Sequence, residues 1–182
     1  MRIIAGQWRG RTINAPKGDA TRPTADRTRE ALFSMLTSRL GSFEDLRVAD
    51  LFAGSGALGL EALSRGAAHC LFVEHDKPAL DALRANITHL GAGGQADVRA
   101  QSVLNLPHVA QPYDLIMMDP PYDSGAGAVA LDKLNRIGWI APHCWLSIET
   151  GKKEVIDIAG FEVDAVRDHG KARLHVLRKL AD

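Results

Sequence analysis

The stretch from Asp119 to Tyr122 reads D-P-P-Y and directly follows the apolar run L-I-M-M, so a buried strand ends abruptly in polar groups. Pro120 and Pro121 stiffen this turn and favour an extended backbone before them. The Asp119 carboxylate and the Pro120 carbonyl then point outward as two neighbouring acceptors, which suit an amino group with two hydrogens. Tyr122 can stack on the ring that carries this amine. Taken alone, D-P-P-Y is also compatible with a simple rigid turn.

Such acceptors matter because the exocyclic amine of a nucleobase is a poor nucleophile, its lone pair being delocalised into the ring. Acceptors that form hydrogen bonds with both N–H groups of the amine localise the lone pair on nitrogen. They also stabilise the positive charge that develops when the nitrogen is methylated. Correct orientation of the amine contributes about 7 to 11 kcal/mol to lowering the barrier. This chemistry requires neither a metal nor a covalent nucleophile.

A glycine-rich loop follows an earlier apolar run. The residues from Asp50 to Gly59 read D-L-F-A-G-S-G-A-L-G, which contains G-x-G-x-x-G and predicts a helix that opens at about Ala57. Glycines let the backbone turn tightly and let a ligand approach it. Glu74 lies twenty residues after Gly54, at the end of the next apolar run, where a carboxylate can bind both ribose hydroxyls of an adenosine. The combination predicts an adenosine-containing cofactor.

The charge of Asp50 discriminates between two such cofactors. A nicotinamide dinucleotide places its pyrophosphate on the loop and the helix N-terminus, where a neighbouring carboxylate is unfavourable. S-adenosylmethionine instead brings a positive sulfonium and a positive amino group. Opposite charges about 4 Å apart attract by about 4 kcal/mol at an effective dielectric of about 20, before desolvation. Asp50 therefore favours S-adenosylmethionine, although a turn-capping role is also compatible.

Alternating apolar and helical stretches from Arg47 onward predict an α/β fold with a parallel sheet that is covered on both faces. The apolar runs span residues 48–52, 70–73, 97–100, 114–118 and 145–148. Two final runs, F-E-V-D-A-V and R-L-H-V-L-R-K-L, are joined by H-G-K-A and predict an antiparallel hairpin at one edge. We expect a mixed, Rossmann-like sheet of about seven strands, with D-P-P-Y and the glycine loop facing one crevice at the carboxyl ends of the strands.

Residues 1–45 differ from the rest and are interpreted as an N-terminal extension docked on the main domain, residues 46–182. R-I-I-A-G-Q-W-R-G-R-T-I-N predicts a small β hairpin around Gly10. T-R-P-T-A-D-R-T-R-E-A-L-F-S-M-L-T-S-R-L predicts a basic loop that runs into an amphipathic helix, with Ala31, Leu32, Met35, Leu36 and Leu40 on one face.

Composition excludes several classes of protein. The 182 residues include 46% hydrophobic residues and have a net charge of zero, and no stretch approaches the ~20 apolar residues of a membrane span. No export signal is recognisable, Cys70 and Cys144 lie in apolar segments, and the histidines lack metal-ligand spacing. We therefore expect a cytoplasmic protein with reduced thiols and no structural metal. The first 30 residues carry an excess of four positive charges and residues 165–182 an excess of three, which fits either a polyanion-binding face or solvated ends.

Taken together, the motifs resemble the bacterial 16S ribosomal RNA guanine-N2 methyltransferase family, the RsmD type. R-I-I-A-G-Q-W-R-G-R, T-R-P-T-A-D-R-T-R-E-A-L-F-S-M-L, D-L-F-A-G-S-G-A-L-G-L-E-A, V-E-H-D and D-P-P-Y match in this order over nearly the whole chain. The first two motifs are specific to the family, whereas the other three also fit DNA adenine-N6 enzymes. The resemblance implies methylation of a guanine N2 amine in a hairpin loop of 16S ribosomal RNA, within small-subunit particles that carry ribosomal proteins. We expect a monomer.

The resemblance also implies roles for individual residues. The target guanine would be held by Asp119, Pro120, Pro121 and Tyr122. The residues expected to bind S-adenosylmethionine are Asp50, Phe52, Ala53, Gly54, Ser55, Gly56, Glu74, His75, Asp76, Ser102, Val103 and Asp119. Among these, Gly54 to Gly56 would cradle the methionine end, Glu74 would hold the ribose, and His75 and Asp76 would flank the adenine. Many relatives of the fold have an acid or amide where this chain has Q-S-V at 101–103, so the adenine contact of Ser102 departs from the pattern.

Basic residues of the extension and of the terminal hairpin are expected to contact RNA phosphates. They are Arg9, Arg11, Arg22, Arg27, Arg29, Lys171 and Arg173. Each engaged phosphate adds about 0.7 to 0.9 to the salt dependence of binding but gives little sequence selectivity. For any one of these arginines a solvated surface charge is equally compatible, and Arg22 and Arg27 could instead pair with Asp26.

Three other functions remain open. The first is an adenine-N6 or other amino-methyltransferase on DNA, although 182 residues leave little room for a target-recognition region. The second is a nicotinamide-dependent oxidoreductase, which would use Gly54, Gly56 and Gly59 but leave D-P-P-Y without a role. The third is a non-catalytic ribosome assembly factor, which the presence of Asp119 and Tyr122 disfavours.

Overall fold

The computed structural model describes residues 1–16 and 23–181, which fold around one seven-stranded sheet. The elements are α1 (Pro23–Leu40), β1 (Arg47–Leu51), α2 (Ala57–Ser64), β2 (His69–Glu74), α3 (Lys77–Leu90), β3 (Ala96–Ala100), a 3-10 helix (Val103–Asn105), β4 (Tyr113–Met118), α4 (Ala126–Arg136), β5 (Ile140–Gly151), β6 (Phe161–His169) and β7 (Ala172–Lys179). Within the described ranges, no helix has the length and apolar character needed to cross a membrane.

The strand order explains where a ligand can bind. The strands lie in the order β3-β2-β1-β4-β5-β7-β6, and the first five are parallel. Strand β7 pairs antiparallel with both β5 and β6, which confirms the predicted terminal hairpin. From β1 the chain proceeds outward through β2 to β3 and then returns to the other side of β1 as β4. Such a reversal creates a crevice at the carboxyl ends of the strands, where ligands of open α/β sheets bind.

Both faces of the sheet are covered, as the continuous apolar runs predicted. Side chains alternate along β1, so Val48 packs in the cluster that includes α1, α2 and α3, whereas Ala49 and Leu51 pack in the cluster that includes α4. Cys70 and Cys144 are buried in these two different clusters and are both free thiols. Opposite faces of one sheet keep them apart, which confirms the prediction of reduced core thiols.

The N-terminal segment forms the predicted antiparallel hairpin, although the hairpin is short. Within residues 1–16, Arg2 and Thr12 form an antiparallel bridge, and further backbone hydrogen bonds join residues 1–3 to residues 10–13. The backbone N–H groups of Ile4 and Ala5 donate to the Glu61 carboxylate of α2, at 2.9 and 3.1 Å. The segment is thus a small hairpin docked on helix α2. Its apolar side chains join the α1–α3 cluster, namely Ile3, Trp8 and Ile13.

Helix α1 begins earlier than the sequence predicted. It starts at Pro23, so most of the R-P-T-A-D-R motif is the first turn of a helix rather than a loop. Proline is favoured there because its missing N–H would be unsatisfied in any case. The predicted apolar face is largely confirmed, with Leu32, Met35 and Leu36 buried and Ala31 and Leu40 partly buried.

Candidate active site

A cavity of about 940 Å³ opens at the crevice between the carboxyl ends of the parallel strands. Its walls are the glycine loop after β1, the residues that follow β2, the D-P-P-Y segment after β4, Glu149 near the end of β5, one side of α1 and the β6–β7 turn. The two motifs that the sequence analysis expected to share a crevice therefore line the same cavity. Their conformations and charges indicate which ligands it can hold.

The glycines of this loop have two different roles: one leaves the backbone open to a ligand, and another allows a helix to pack closely. Phe52, Gly54 and Gly56 have positive φ angles of 57°, 57° and 85°. A Cβ atom at Gly54 would meet nothing within 4 Å, whereas one at Gly59 would lie 2.3 Å from the ring of Phe72. Gly54 therefore leaves the backbone accessible to a ligand, and Gly59 allows α2 to pack closely on β2.

Glu74 ties the glycine loop to the end of β2. Its Oε1 accepts the backbone N–H of Gly54, and its Oε2 accepts those of His75 and Asp76, each at 2.9 Å. Because an ionised carboxylate offers about four acceptor positions, it can accept a further hydrogen bond from a ligand hydroxyl. Asp76 in turn caps α3 by accepting the N–H of Ala79 at 3.2 Å. These contacts fix the carboxylate at the cavity wall.

Asp50 lies at the floor of the cavity with 1% of its surface exposed. Its Oδ2 accepts the backbone N–H of Gly59 at 2.9 Å, whereas its buried Oδ1 has no hydrogen-bond partner among the described residues. Burial raises the pKa of Asp50 to about 8; the bond from Gly59 opposes this shift, and the nearby charge of Glu74 adds to it. A buried carboxyl with an unsatisfied oxygen gains most from a cationic ligand.

The D-P-P-Y segment meets a second carboxyl group. Met118 and Ile148 are register neighbours on β4 and β5, so Asp119 and Glu149 follow them side by side. The two carboxyl groups are close enough for each to influence the ionisation of the other. The side of Asp119 that faces the cavity is exposed, whereas protein atoms surround its other sides and bury it partly. This burial, followed by the negative charges of Glu149 and Asp50, raises the pKa of Asp119 well above its usual range.

Tyr122 is anchored by the same acid. Its hydroxyl donates to Glu149 Oε2 at 2.8 Å while 42% of its surface remains exposed. Burial and the Glu149 carboxylate raise the pKa of Tyr122 above its usual range, so the hydroxyl stays protonated and remains a donor. The result is an aromatic ring that is fixed at one end and accessible for stacking.

Comparisons with known proteins agree with this geometry. A family model described as conserved hypothetical protein 95 matches residues 1–178. The chain is 38% identical over 150 residues to ribosomal RNA small subunit methyltransferase D of Escherichia coli, covering 82% of this chain and 74% of that protein. It is also 38% identical over 160 residues to the protein of the same name from Haemophilus influenzae, covering 84% and 79%. The chain belongs to the RsmD-type methyltransferase family. The solved structure of yhhF from Escherichia coli matches with a TM-score of 0.85 at 32% identity, covering 100% of this chain and 99% of that one.

Within this RsmD-type chain, Glu149 is an acidic cavity residue that the sequence analysis missed. It follows the apolar run W-L-S-I and so repeats the pattern that identified Glu74 and Asp119, an acid directly after an apolar run. The pattern was therefore available in the sequence. The sequence did not, however, reveal the pairing of β5 with β4, which places Glu149 beside Asp119.

Three residues predicted to bind the cofactor lie outside the cavity wall, namely Gly56, Ser102 and Val103. Gly56 packs against Leu83 instead, since a Cβ atom on it would lie 2.4 Å from that side chain. Ser102 Oγ accepts the backbone N–H of Leu104 at 3.2 Å and so caps the 3-10 helix. Val103 is buried in the cluster that includes α4. The positions of these side chains do not support a contact with adenine, which stays a prediction.

The basic residues predicted to bind RNA have unequal environments. The exposed ones are Arg9, Arg11, Arg27 and Lys171, and Lys171 also lines the cavity. Arg11 donates to the carbonyl oxygen of His89 at 2.8 Å, and Arg173 forms two hydrogen bonds to Asp168 at 2.7 and 3.2 Å. Arg22 lies outside the described residues.

The prediction that Arg29 contacts RNA is contradicted by its burial. Only 4% of Arg29 is exposed, and its guanidinium lies 3.2 Å from Asp26 and 3.5 Å from Glu61. It also donates to the carbonyl oxygen of Arg2. Arg29 precedes the buried Leu32 and Leu36 by three and seven residues, so it lies on the same inward face of α1, where it also lines the cavity.

Proposed function

We propose that this protein transfers a methyl group from S-adenosylmethionine to the exocyclic N2 amine of a guanine in 16S ribosomal RNA. One observation carries the proposal: the D-P-P-Y acceptors and an acid-lined glycine loop share one cavity. Support comes from the relatives named ribosomal RNA small subunit methyltransferase D.

The cavity residues fit S-adenosylmethionine better than a nicotinamide dinucleotide. Five acidic residues line the cavity, namely Asp50, Glu74, Asp76, Asp119 and Glu149. Asp50 and Glu74, which lie at the glycine loop, favour the positive sulfonium and ammonium groups of S-adenosylmethionine and disfavour a pyrophosphate. When bound, this cofactor supplies a methyl group activated by the positive charge on its sulfur. The exposed backbone at Gly54 and the remaining acceptor capacity of Glu74 suit its methionine and ribose parts.

The protein's part in the reaction is to hold and activate the amine. Asp119 and the Pro120 carbonyl each accept a hydrogen bond from one N–H of the amine, while Tyr122 stacks on the base. The methylated nitrogen must lose one proton, which the ionised Asp119 carboxylate can accept. Preorganisation of these groups by the pairing of β4 and β5 limits the rearrangement needed during the reaction.

The RNA must deliver an unstacked guanine to this cavity. Moving a base out of its stack costs a few kcal/mol, and the cost is smallest for a base in a loop. A guanine in a hairpin loop is therefore the favoured target. Arg9, Arg11, Arg27 and Lys171 offer exposed charges for the phosphates around it. We propose that the substrate is a small-subunit particle carrying ribosomal proteins and that the enzyme acts as a monomer.

The decisive experiment identifies the methylated nucleoside. The protein is incubated with methyl-labelled S-adenosylmethionine and with unmodified small subunits, naked 16S ribosomal RNA or duplex DNA, followed by mass spectrometry. N2-methylguanosine in the RNA samples is the expected result. Methyladenine in DNA would instead support the DNA amino-methyltransferase, and thermal stabilisation by NAD but not by S-adenosylhomocysteine would support the oxidoreductase.

The pKa of Asp50 predicts a pH dependence of ligand affinity. Below its pKa of about 8, Asp50 is mostly protonated and gains a charge only as the pH rises. A ligand with an ammonium group prefers the ionised form, so the affinity for S-adenosylhomocysteine should rise up to about tenfold per pH unit from about pH 6 to 8. Titration calorimetry at several pH values measures this. Asp50→Asn should flatten the profile, whereas Asp81→Asn on the surface should not, and an unchanged slope in Asp50→Asn would contradict the assignment.

Glu74→Ala is expected to weaken S-adenosylhomocysteine binding about 10- to 100-fold. It removes an acceptor for the ligand hydroxyls and also releases the N–H groups of Gly54, His75 and Asp76. Calorimetry at constant pH measures the affinity, and saturating cofactor should restore most of the transfer rate. Loss of transfer that no cofactor concentration restores would indicate that Glu74 acts on the substrate instead.

A further inference from the structure

Glu149 can accept hydrogen bonds in addition to the one from the Tyr122 hydroxyl. It lines the cavity, stands next to Asp119 and uses Oε2 for the tyrosine hydroxyl. The cavity therefore presents two carboxyl groups side by side where the amine of the target is to be held. A single carboxylate together with the Pro120 carbonyl would already suffice for an amino group. The second acid thus offers an acceptor for a neighbouring atom of the same base.

The edges of the purines differ in what they offer to such a pair. Guanine presents its N2 amine beside a ring N1–H, which are two donors in a row. Adenine presents its N6 amine beside N1, which lacks a hydrogen and accepts. A flipped base is read by hydrogen bonds to this edge. Two adjacent carboxyl groups match a row of two donors, whereas an acceptor nitrogen placed against a carboxylate would be repelled.

We propose that Glu149 accepts the ring N1–H of the target guanine and thereby makes the site specific for guanine over purines whose N1 carries no hydrogen. This inference rests on the proposed function, because it concerns the base held by Asp119 in the same cavity. It also gives Glu149 a share in activation. A carboxylate that accepts the N1–H pushes electron density into the ring and towards the N2 amine, which makes the amine a better nucleophile.

A glutamine at position 149 separates this role from the support of Tyr122. The amide oxygen of Glu149→Gln can still accept the Tyr122 hydroxyl, so the stacking ring keeps its anchor. The amide nitrogen, however, is a donor and no longer suits a ring N–H. Glu149→Asp keeps the charge on a shorter side chain and is the conservative variant.

The test uses 2-aminopurine, which has the same N2 amine as guanine but an N1 without a hydrogen. The target guanine of 16S ribosomal RNA, assembled into small subunits, is replaced by 2-aminopurine, and kcat/KM is measured for both substrates. The wild-type protein should prefer guanine by about 100-fold or more, because unmatched polar groups are strongly discriminated against. Glu149→Gln should lower kcat/KM for guanine about 10- to 100-fold and reduce the preference at least about tenfold.

The controls keep the result interpretable. Glu162→Gln makes the same change on β6, at a partly exposed residue that pairs with Arg178 and lies outside the cavity wall, and should alter neither value. Glu149→Asp should be slower than wild type but keep the preference for guanine, which also answers the case in which Glu149→Gln does not fold. Affinity for S-adenosylhomocysteine should stay within about threefold of wild type in both variants.

The outcomes separate this inference from the function it rests on. No methylation of guanine by the wild-type protein would overturn the proposed function itself. Methylation of guanine with an unchanged preference in Glu149→Gln would leave the proposed function standing and overturn the role of Glu149. A smaller preference in Glu149→Asp than in Glu149→Gln would also overturn it, since charge rather than length is the feature at issue.

Discussion

Replacing Asp119 with asparagine is expected to reduce methyl transfer by two to three orders of magnitude while S-adenosylhomocysteine affinity changes little. The asparagine side chain keeps the size of the carboxyl group but offers one acceptor and a donating NH2 group in place of two acceptors. It therefore loses the stabilisation of the charge that develops on the amine. Loss of one preorganised group of this kind costs about 10²- to 10³-fold in rate. Single-turnover rates at saturating cofactor measure the effect.

Asp123→Asn is the matched control for this change. Asp123 lies four residues further on and outside the cavity wall, and its positive φ of 58° is one that asparagine tolerates well. It should retain nearly all activity. An equal loss in both variants would point to disruption of the turn, and full activity of Asp119→Asn would remove Asp119 from the reaction.

The same residue sets the acid limb of the rate profile. Because its pKa is raised, Asp119 in the free enzyme is protonated over a wider pH range than an ordinary aspartate, and only its ionised form can accept the proton that the methylated amine releases. The rate should therefore fall as the pH is lowered. Removal of the neighbouring charge in Glu149→Gln should move this fall to lower pH.

The parts of the site that the sequence predicted are those held by local chain geometry. Gly54 and Gly56 belong to one loop, and Glu74 and Asp119 each follow an apolar run directly, so their placement needs only the rule that parallel strands end at one edge. The strand set and the terminal hairpin were predictable for the same reason, since their apolar runs and turns are local. Helix α1 was placed too late because the proline was interpreted as part of a loop rather than as the first turn of a helix.

The parts that the sequence did not predict depend on pairings between distant segments. Glu149 becomes a cavity residue only through the register of β5 on β4, which no local pattern specifies. Arg29 has the sequence context of a surface charge, and its burial follows from a carboxylate 32 residues away in α2. Ile4 and Ala5 donate to that carboxylate as well, and Trp8 donates to Ser64 of the same helix, so the hairpin is held in place by α2. Glu61 therefore connects the N-terminal segment, Arg29 and α2.

Glu61→Ala is expected to destabilise the protein by about 3 to 5 kcal/mol. Glu61 is fully buried, accepts the N–H of Ile4 and Ala5, and pairs with Arg65 at 2.9 Å and with Arg29 at 3.5 Å. Among the described residues, its removal leaves the part-exposed Asp26 as the anionic partner of the buried Arg29 cation, and breaking a buried pair in this way is far more costly than the net value of the pair. For a chain of this length the melting temperature should fall by roughly 6 to 20 °C.

Asp132→Ala supplies the comparison, because Asp132 also pairs with an arginine four residues along its helix, but in an exposed setting. Such surface pairs change the free energy of unfolding by no more than about 0.5 kcal/mol. The melting temperature of Asp132→Ala should therefore stay near that of the wild type. Equal melting temperatures for the two variants would show that Arg29 finds another partner or water when Glu61 is absent. If instead only Glu61→Ala melts early, the cation that resembled an RNA contact in the sequence is a structural one, and the N-terminal wall of the cavity depends on keeping it paired.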